Sequence, residues 1–380
     1  MATRRLILLL AALSLPIPKP ASPSQLLFIG TSTPKDGAAR GIYAVPFDPA
    51  TGALGPPGLA AETPNPTFLA WHPGQPVLYA LTESGTVNGK PGGAAIAYRH
   101  DPAGARLAPL HAEPTGGGGC AHLGVDATGR TLVLASYGGG YIAAFPLGTD
   151  GRPGAPTGML SQSGALGPNP RRQDKPRAHS VTFSPDNRHA YVCDLGLDRV
   201  FRFRLDPAAA TLTPAGETAT APGAGPRHRK FSADGNFFYV INELNSTVAV
   251  YAAGGDGSLT ERQTIATLPD GFAGPSTTAE IRLSPDGRFV YDSSRGHDSI
   301  AVFARDQERG TLSLVEIVPS GGKHPRNFNL SPDGRWLICA NRDSDNLVVF
   351  RVDPATGRLT PTGHTATVPQ AVCVLFAPGG

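Results

Sequence analysis

The residue types that could do chemistry recur at two fixed offsets from a repeated pentapeptide. The phrase reads FSPDN at 183–187, FSADG at 231–235 and LSPDG at 283–287 and 330–334, with weaker copies at 71–75, 125–129 and 376–380. Taking the second residue of each copy as an anchor, the position five before it holds Thr67, Ala121, His179, Arg227, Ala279, Arg326 and Val372. The position eleven after it holds Glu83, Tyr137, Leu195, Glu243, Arg295 and Arg342, the seventh falling past the last residue. Charged or imidazole side chains occupy seven of these thirteen positions, against 17% charged residues in the chain. A carboxylate such as Glu243 or an imidazole such as His179 can take a proton from water. Fixed guanidinium groups can hold an anion or stabilise charge developing on a carbonyl oxygen. His122 and Glu280, one residue further along their copies, belong to the same census.

Those groups are useful only if the elements carrying them converge. The anchors His72, Asp126, Ser184, Ser232, Ser284, Ser331 and Ala377 are spaced by 54, 58, 48, 52, 47 and 46 residues, which suits a four-stranded propeller blade with its loops. A β-branched or aromatic run precedes each turn and a second follows it, as in Val181-Thr182-Phe183 and Ala190-Tyr191-Val192-Cys193. Pro-Asp-Gly supplies the turn between them, since proline presets φ and glycine accepts a positive φ. A third strand (Thr247 to Tyr251, Ser299 to Phe303) and a fourth, outer one complete each blade. Residues 26–54 carry later strands without an anchor turn, and 372–378 carry an inner strand with nothing after it. Joined, they make one blade and remove the last open edge. The expectation is an all-β protein: a seven-bladed propeller of four-stranded blades, closed by N- and C-terminal strands sharing a blade. Both offset positions then fall at one rim, around the central channel where ligands bind.

Composition agrees and excludes other classes. Glycine (47) and proline (38) are about 22% of 380 residues, a load that long helices do not bear. With 33 basic against 30 acidic side chains and no long charge run, there is no footprint for nucleic acid, and a small-molecule or protein partner is expected. Residues 1–24 read as a leader: two arginines, then an apolar stretch from Leu6 to Leu15 too short to span a bilayer. The expectation is export to the periplasm or beyond, with no membrane span once the leader is removed and one domain over residues 25–380; without a leader the protein would be cytoplasmic. The four cysteines stand far apart with no Cys-x-x-Cys pair, so buried unpaired thiols are expected and neither a zinc site nor a cofactor is. Asp194, Asn242 and Asn341 on strand ends could ligate calcium, but bonding to backbone is the favoured reading. No Gly-x-Ser-x-Gly, His-Glu-x-x-His or phosphate-cradling loop is present.

The segments GPNPRRQDKPRAHSVTFSPD (167–186), PGAGPRHRKFSADGNFFYVINELNSTVAVY (222–251), AEIRLSPDGRFVYDSSRGHDSIAVF (279–303) and PRNFNLSPDGRWLICANRDSDNLVVF (325–350) resemble the seven-bladed lactonase family, which includes propeller-type 6-phosphogluconolactonases and the related fungal carboxymuconate-lactonizing enzymes. The resemblance implies hydrolysis of a sugar-type lactone in carbohydrate metabolism, with His179, Arg227 and Glu243 catalytic and a second arginine at Arg295, Arg282 being its competitor. Substrate contacts are expected from His122, Glu280, His297 and Arg326. The family's Cys-His-Leu appears as Cys120-Ala121-His122-Leu123, and Arg177 stands where relatives often carry histidine. A lactonizing isomerase using the same residues without water, or a non-catalytic propeller, are the alternative readings.

Overall fold

The computed structural model describes residues 25–378 apart from 36, 84, 88 and 103, so the leader reading lies outside the described residues. Seven four-stranded antiparallel sheets form the expected ring. From innermost to outermost strand, blade 1 runs from Leu69–Trp71 to Leu107–Pro114, blade 2 from Cys120–Val125 to Gly158–Ser161 and blade 3 from Ala178–Phe183 to Thr211–Ala219. Blade 4 runs from Pro226–Phe231 to Leu259–Ala266, blade 5 from Thr277–Leu283 to Leu312–Pro319 and blade 6 from Pro325–Leu330 to Leu359–Thr367. Blade 7 joins both ends of the sequence: Ala371–Phe376 lies innermost, followed outward by Gln25–Thr31, Gly41–Phe47 and Gly58–Glu62. Among the described residues the one helical element is a 3-10 turn at Arg342–Ser344, and no helix is long and apolar enough to cross a membrane.

The anchor turns are built from their own side chains. Ser184 Oγ donates to Asp186 Oδ1 (2.6 Å) and accepts from the His189 amide (2.9 Å), so the hydroxyl holds both arms of the hairpin. The turn's last residue is left-handed, which glycine adopts freely and asparagine tolerates. Gly235, Gly287 and Gly334 have φ of +75°, +69° and +71°, and Asn187 takes the place at +58°.

Apolar faces close the blades on one another. Between blades 6 and 7, Ile338, Val349, Leu27, Ile29 and Val374 are fully buried, each such side chain contributing about 1.5–3 kcal/mol on leaving water. Polar staples fix the angle. Tyr79, Tyr191, Tyr239 and Tyr291 each donate their hydroxyl to the carbonyl of a glycine in the outer turn of the next blade (Gly151, Gly257, Gly310 and Gly357; 2.7–3.0 Å). Trp336 does the same for blade 7 through Nε1 to the Pro49 carbonyl (3.0 Å).

All four cysteines are buried free thiols, as expected. Asp194 accepts the Arg177 and Leu197 amides, Asn341 donates to the Ser320 carbonyl and Asn242 donates to Thr247 Oγ1, so these strand-end groups serve the rim.

Candidate active site

A β-bulge creates the site. In blades 2, 3, 4 and 6 the innermost strand slips register at the residue five before the anchor, leaving Ala121, His179, Arg227 and Arg326 outside the ladder; Val372 is skipped likewise in blade 7. A bulged residue is released from strand alternation and its side chain is re-aimed. Eleven residues after the anchor, the second strand has just returned to the same rim, with Glu243 following Phe237–Asn242 and Arg295 ending Phe289–Arg295.

His179, Arg227, Glu243 and Arg295 meet there. Glu243 Oε2 lies 2.9 Å from Arg227 Nε, 3.2 Å from Arg295 Nη2 and 3.8 Å from His179 Nε2. Its other oxygen accepts from Arg172 Nη2, and Arg172 also donates to the Tyr137 hydroxyl (3.1–3.2 Å). The guanidinium groups are tied from behind: Arg227 Nη1 donates to the Ala279 carbonyl and Arg295 Nη2 to the Thr278 carbonyl (2.7 Å). Above this cluster opens a cleft of about 160 Å³, lined by Glu83, Cys120, Ala121, Tyr137, Arg172, His179, Glu243, Arg295 and Arg326.

Burial raises the Glu243 carboxyl pKa, but Arg295 and Arg227 outweigh it, aided by His179 and Arg172, and the group stays ionised well below the usual carboxylate range. Burial, then Arg227, drives His179 well below the ordinary histidine value, so the imidazole is neutral at neutral pH. Arg326 falls to about 10 through burial and the adjacent Arg295, and Arg227 to about 9 for the same two reasons; both remain cationic at neutral pH.

The expected residues divide into four groups. His179, Glu243, Arg295 and Arg326 line the cleft. Arg227 sits beneath it, 2% exposed and behind Glu243, so it positions the carboxylate. His122 and Glu280 lie buried one layer down the channel: His228 Nδ1 is 3.2 Å from Glu280 Oε2, and the His122 ring packs on Phe68 with centroids 4.0 Å apart. His297 is away from the cleft, its Nδ1 2.7 Å from Ser299 Oγ and its ring edge-on to Phe272. Arg282, the competitor for Arg295, is likewise in the channel, 3.5 Å from Glu280 Oε1. Arg172 is the residue the repeat could not reveal. It belongs to the long connection between blades 2 and 3, outside the repeat register, and the only available signal was the length of that loop.

Fold and site together define a seven-bladed propeller with a buried carboxylate–arginine–histidine cluster at one mouth of its channel. The sequence matches the family described as lactonase, 7-bladed beta-propeller, over residues 26–376, and the chain belongs to that family. A 6-phosphogluconolactonase of Bacillus subtilis is 36% identical over 350 residues, covering 92% of this chain and 97% of that protein. The solved periplasmic gluconolactonase of Pseudomonas aeruginosa is 34% identical with a TM-score of 0.88, over 94% of this chain and 99% of that one. An uncharacterized Staphylococcus saprophyticus protein is 32% identical over 351 residues, covering 92% of this chain and 98% of its own length.

Proposed function

We propose that this chain is a lactonase that opens a sugar-type lactone with water activated in the cleft by His179. The observation that carries the choice of base is the wiring of Glu243. Its carboxylate is engaged by Arg227, Arg295 and Arg172 and takes up a proton poorly. His179 is also held below its ordinary range, by burial and then Arg227, but it is bound by no arginine, is neutral at neutral pH, reaches the cleft, and has Glu243 3.8 Å away to stabilise the imidazolium formed on taking a proton. Glu243 therefore acts by holding the guanidinium groups in place and by pairing with His179 after proton transfer.

The cleft and its floor hold four guanidinium groups (Arg172, Arg227, Arg295, Arg326) against two carboxylates (Glu83, Glu243). That surplus suits the negative charge that appears on the lactone carbonyl oxygen when hydroxide adds, and Arg295 and Arg326 face the space where it forms. The activities that these relatives are named for, one on a phosphorylated gluconolactone and one on gluconolactone, support the reaction class. An exported protein, the localisation the leader implies, would meet the unphosphorylated ester.

The test is opening of δ-gluconolactone and 6-phosphogluconolactone by the full chain, followed by pH-stat at neutral pH after subtraction of spontaneous opening. His179→Gln should lower kcat by about 10²–10⁴-fold. Absence of turnover above background with either lactone, or full activity in His179→Gln, would overturn the reading; cyclisation of a muconate instead would assign the lactonizing reaction.

A further inference from the structure

Beneath the catalytic cluster the channel is divided. The layer four residues before the anchors includes His122, Ser180, His228, Glu280, Asn327 and Cys373, all buried, and forms a plug. Two residues further along each innermost strand the side chains share the same side, since strand side chains alternate. There Lys230 and Arg282, in neighbouring blades, are again partly exposed, as are Thr182, Asn329 and Leu375. Below the plug, on the anchor-turn side, the inner strands are therefore again partly open to solvent.

That layer is cationic without full compensation. Lys230 and Arg282 are the only ionisable side chains of their layer, the other blades supplying Ala70, Gly124 and the three neutral residues just named. Arg229 extends from the adjacent position with its Nη1 3.5 Å from His122 Nε2; it is 3% exposed and its Nε has no hydrogen-bond partner. The single carboxylate within reach, Glu280, is already held by Asn327 Nδ2, His228 Nδ1 and the Ile281 amide. Its ion pair with Arg282 is long, 3.5 Å, and leaves Arg282 Nε without a hydrogen bond. The Lys230 ammonium makes no hydrogen bond or ion pair among the described residues. Three basic groups gather around one spent carboxylate, and positive charge brought together without a counter-ion is unfavourable.

We propose that Arg229, Lys230 and Arg282 form a binding site for a small oxyanion of the sulfate or phosphate type, separate from the catalytic cleft. Ammonium and guanidinium groups converging from two adjacent blades offer charge-assisted donors to a tetrahedral anion. The repulsion between Lys230 and Arg282, which with burial pulls the ammonium down to about 7, is relieved when the anion binds. The inference is independent of the lactone reading, because none of the three residues lines the catalytic cleft.

Isothermal titration of the full chain with sodium sulfate and with sodium phosphate, at fixed ionic strength, tests it. One saturable site is expected in the wild type and in the cleft variant Arg172→Gln. Binding should weaken about tenfold or more in Lys230→Met, whose lactone opening stays within about twofold of wild type. Absence of saturable binding, or binding kept by Lys230→Met and lost in Arg172→Gln, overturns the proposal. Should Lys230→Met fail to fold, wild-type crystals soaked in selenate decide: an anomalous peak beside Lys230 Nζ supports the site, and a peak confined to the catalytic cleft, or none, refutes it.

Discussion

Replacing Glu243 with glutamine separates the structural duty of that carboxylate from the proton chemistry of its neighbour. The substitution keeps size and one carbonyl oxygen but removes the charge between Arg227 at 2.9 Å, Arg295 at 3.2 Å and Arg172. Glu243 and Arg227 have side chains 3% and 2% exposed, so water cannot replace what is lost. Breaking a buried pair on one side costs about 3–5 kcal/mol, and the retained carbonyl acceptor puts the expectation at about 3 kcal/mol. For about 350 ordered residues, the unfolding entropy is about 0.7 kcal/mol/K, and 3 kcal/mol becomes a fall in Tm of about 4 °C. His179→Gln should shift Tm by under about 1 °C, because the ring's ion-pair approach to Glu243 is long, 3.8 Å, its Nδ1 has no partner, and its remaining neighbours Tyr137 and His228 meet it only edge-on. Scanning calorimetry at pH 7 on wild type and both variants measures this directly. If Glu243→Gln melts within 1 °C of wild type, the carboxylate is not what holds the arginines, and the mechanism drawn from that wiring fails.

Two further outcomes follow from buried ionisable groups. Asp292 is fully buried, neither of its carboxyl oxygens makes a well-formed hydrogen bond, and burial, opposed only by the Ala301 amide, holds it protonated well above its ordinary range. The matching position in other blades is Ala80, Leu134, Val192, Val240 or Cys339, so Asp292→Val should raise stability at pH 7 by about 1–3 kcal/mol in urea unfolding; a lowered midpoint would contradict this. His122, His179 and His228 are all held neutral, foremost by burial, with pKa values well below 6.5. The unfolded chain therefore binds protons that the folded chain does not, and stability should fall as pH drops below 6.5. Thermal melts from pH 7.5 to 5 should show that slope, and it should be shallower in His228→Gln.

Periodic information was legible and local insertions were not. The anchor turn repeats because a hairpin of fixed geometry must sit at the same place in every blade, so it exposed blade number, ring closure and the rim positions of His179, Glu243 and Arg295. The bulge was not visible, since slipping register by one residue leaves no compositional trace, yet it is what turns His179 and Arg326 toward the cleft. The same offset rule placed Arg227 and His179 alike, while the structure sets one beneath the carboxylate and the other beside it. Depth within a channel depends on neighbouring strands that a one-dimensional count does not contain. Arg172 lies in a loop that obeys no repeat.

The blade shared by Gln25–Thr31 and Ala371–Phe376 bears on the chemistry across the ring. Trp71 of the first blade also reaches over to it, Nε1 donating to the Phe376 carbonyl at 2.7 Å. Like the clasp of a bracelet, this joint sets the circumference, and with it how closely the arginines and the glutamate on the opposite arc are pressed together. A loosened clasp would let like charges drift apart and dull the catalytic cluster without altering a single residue in it.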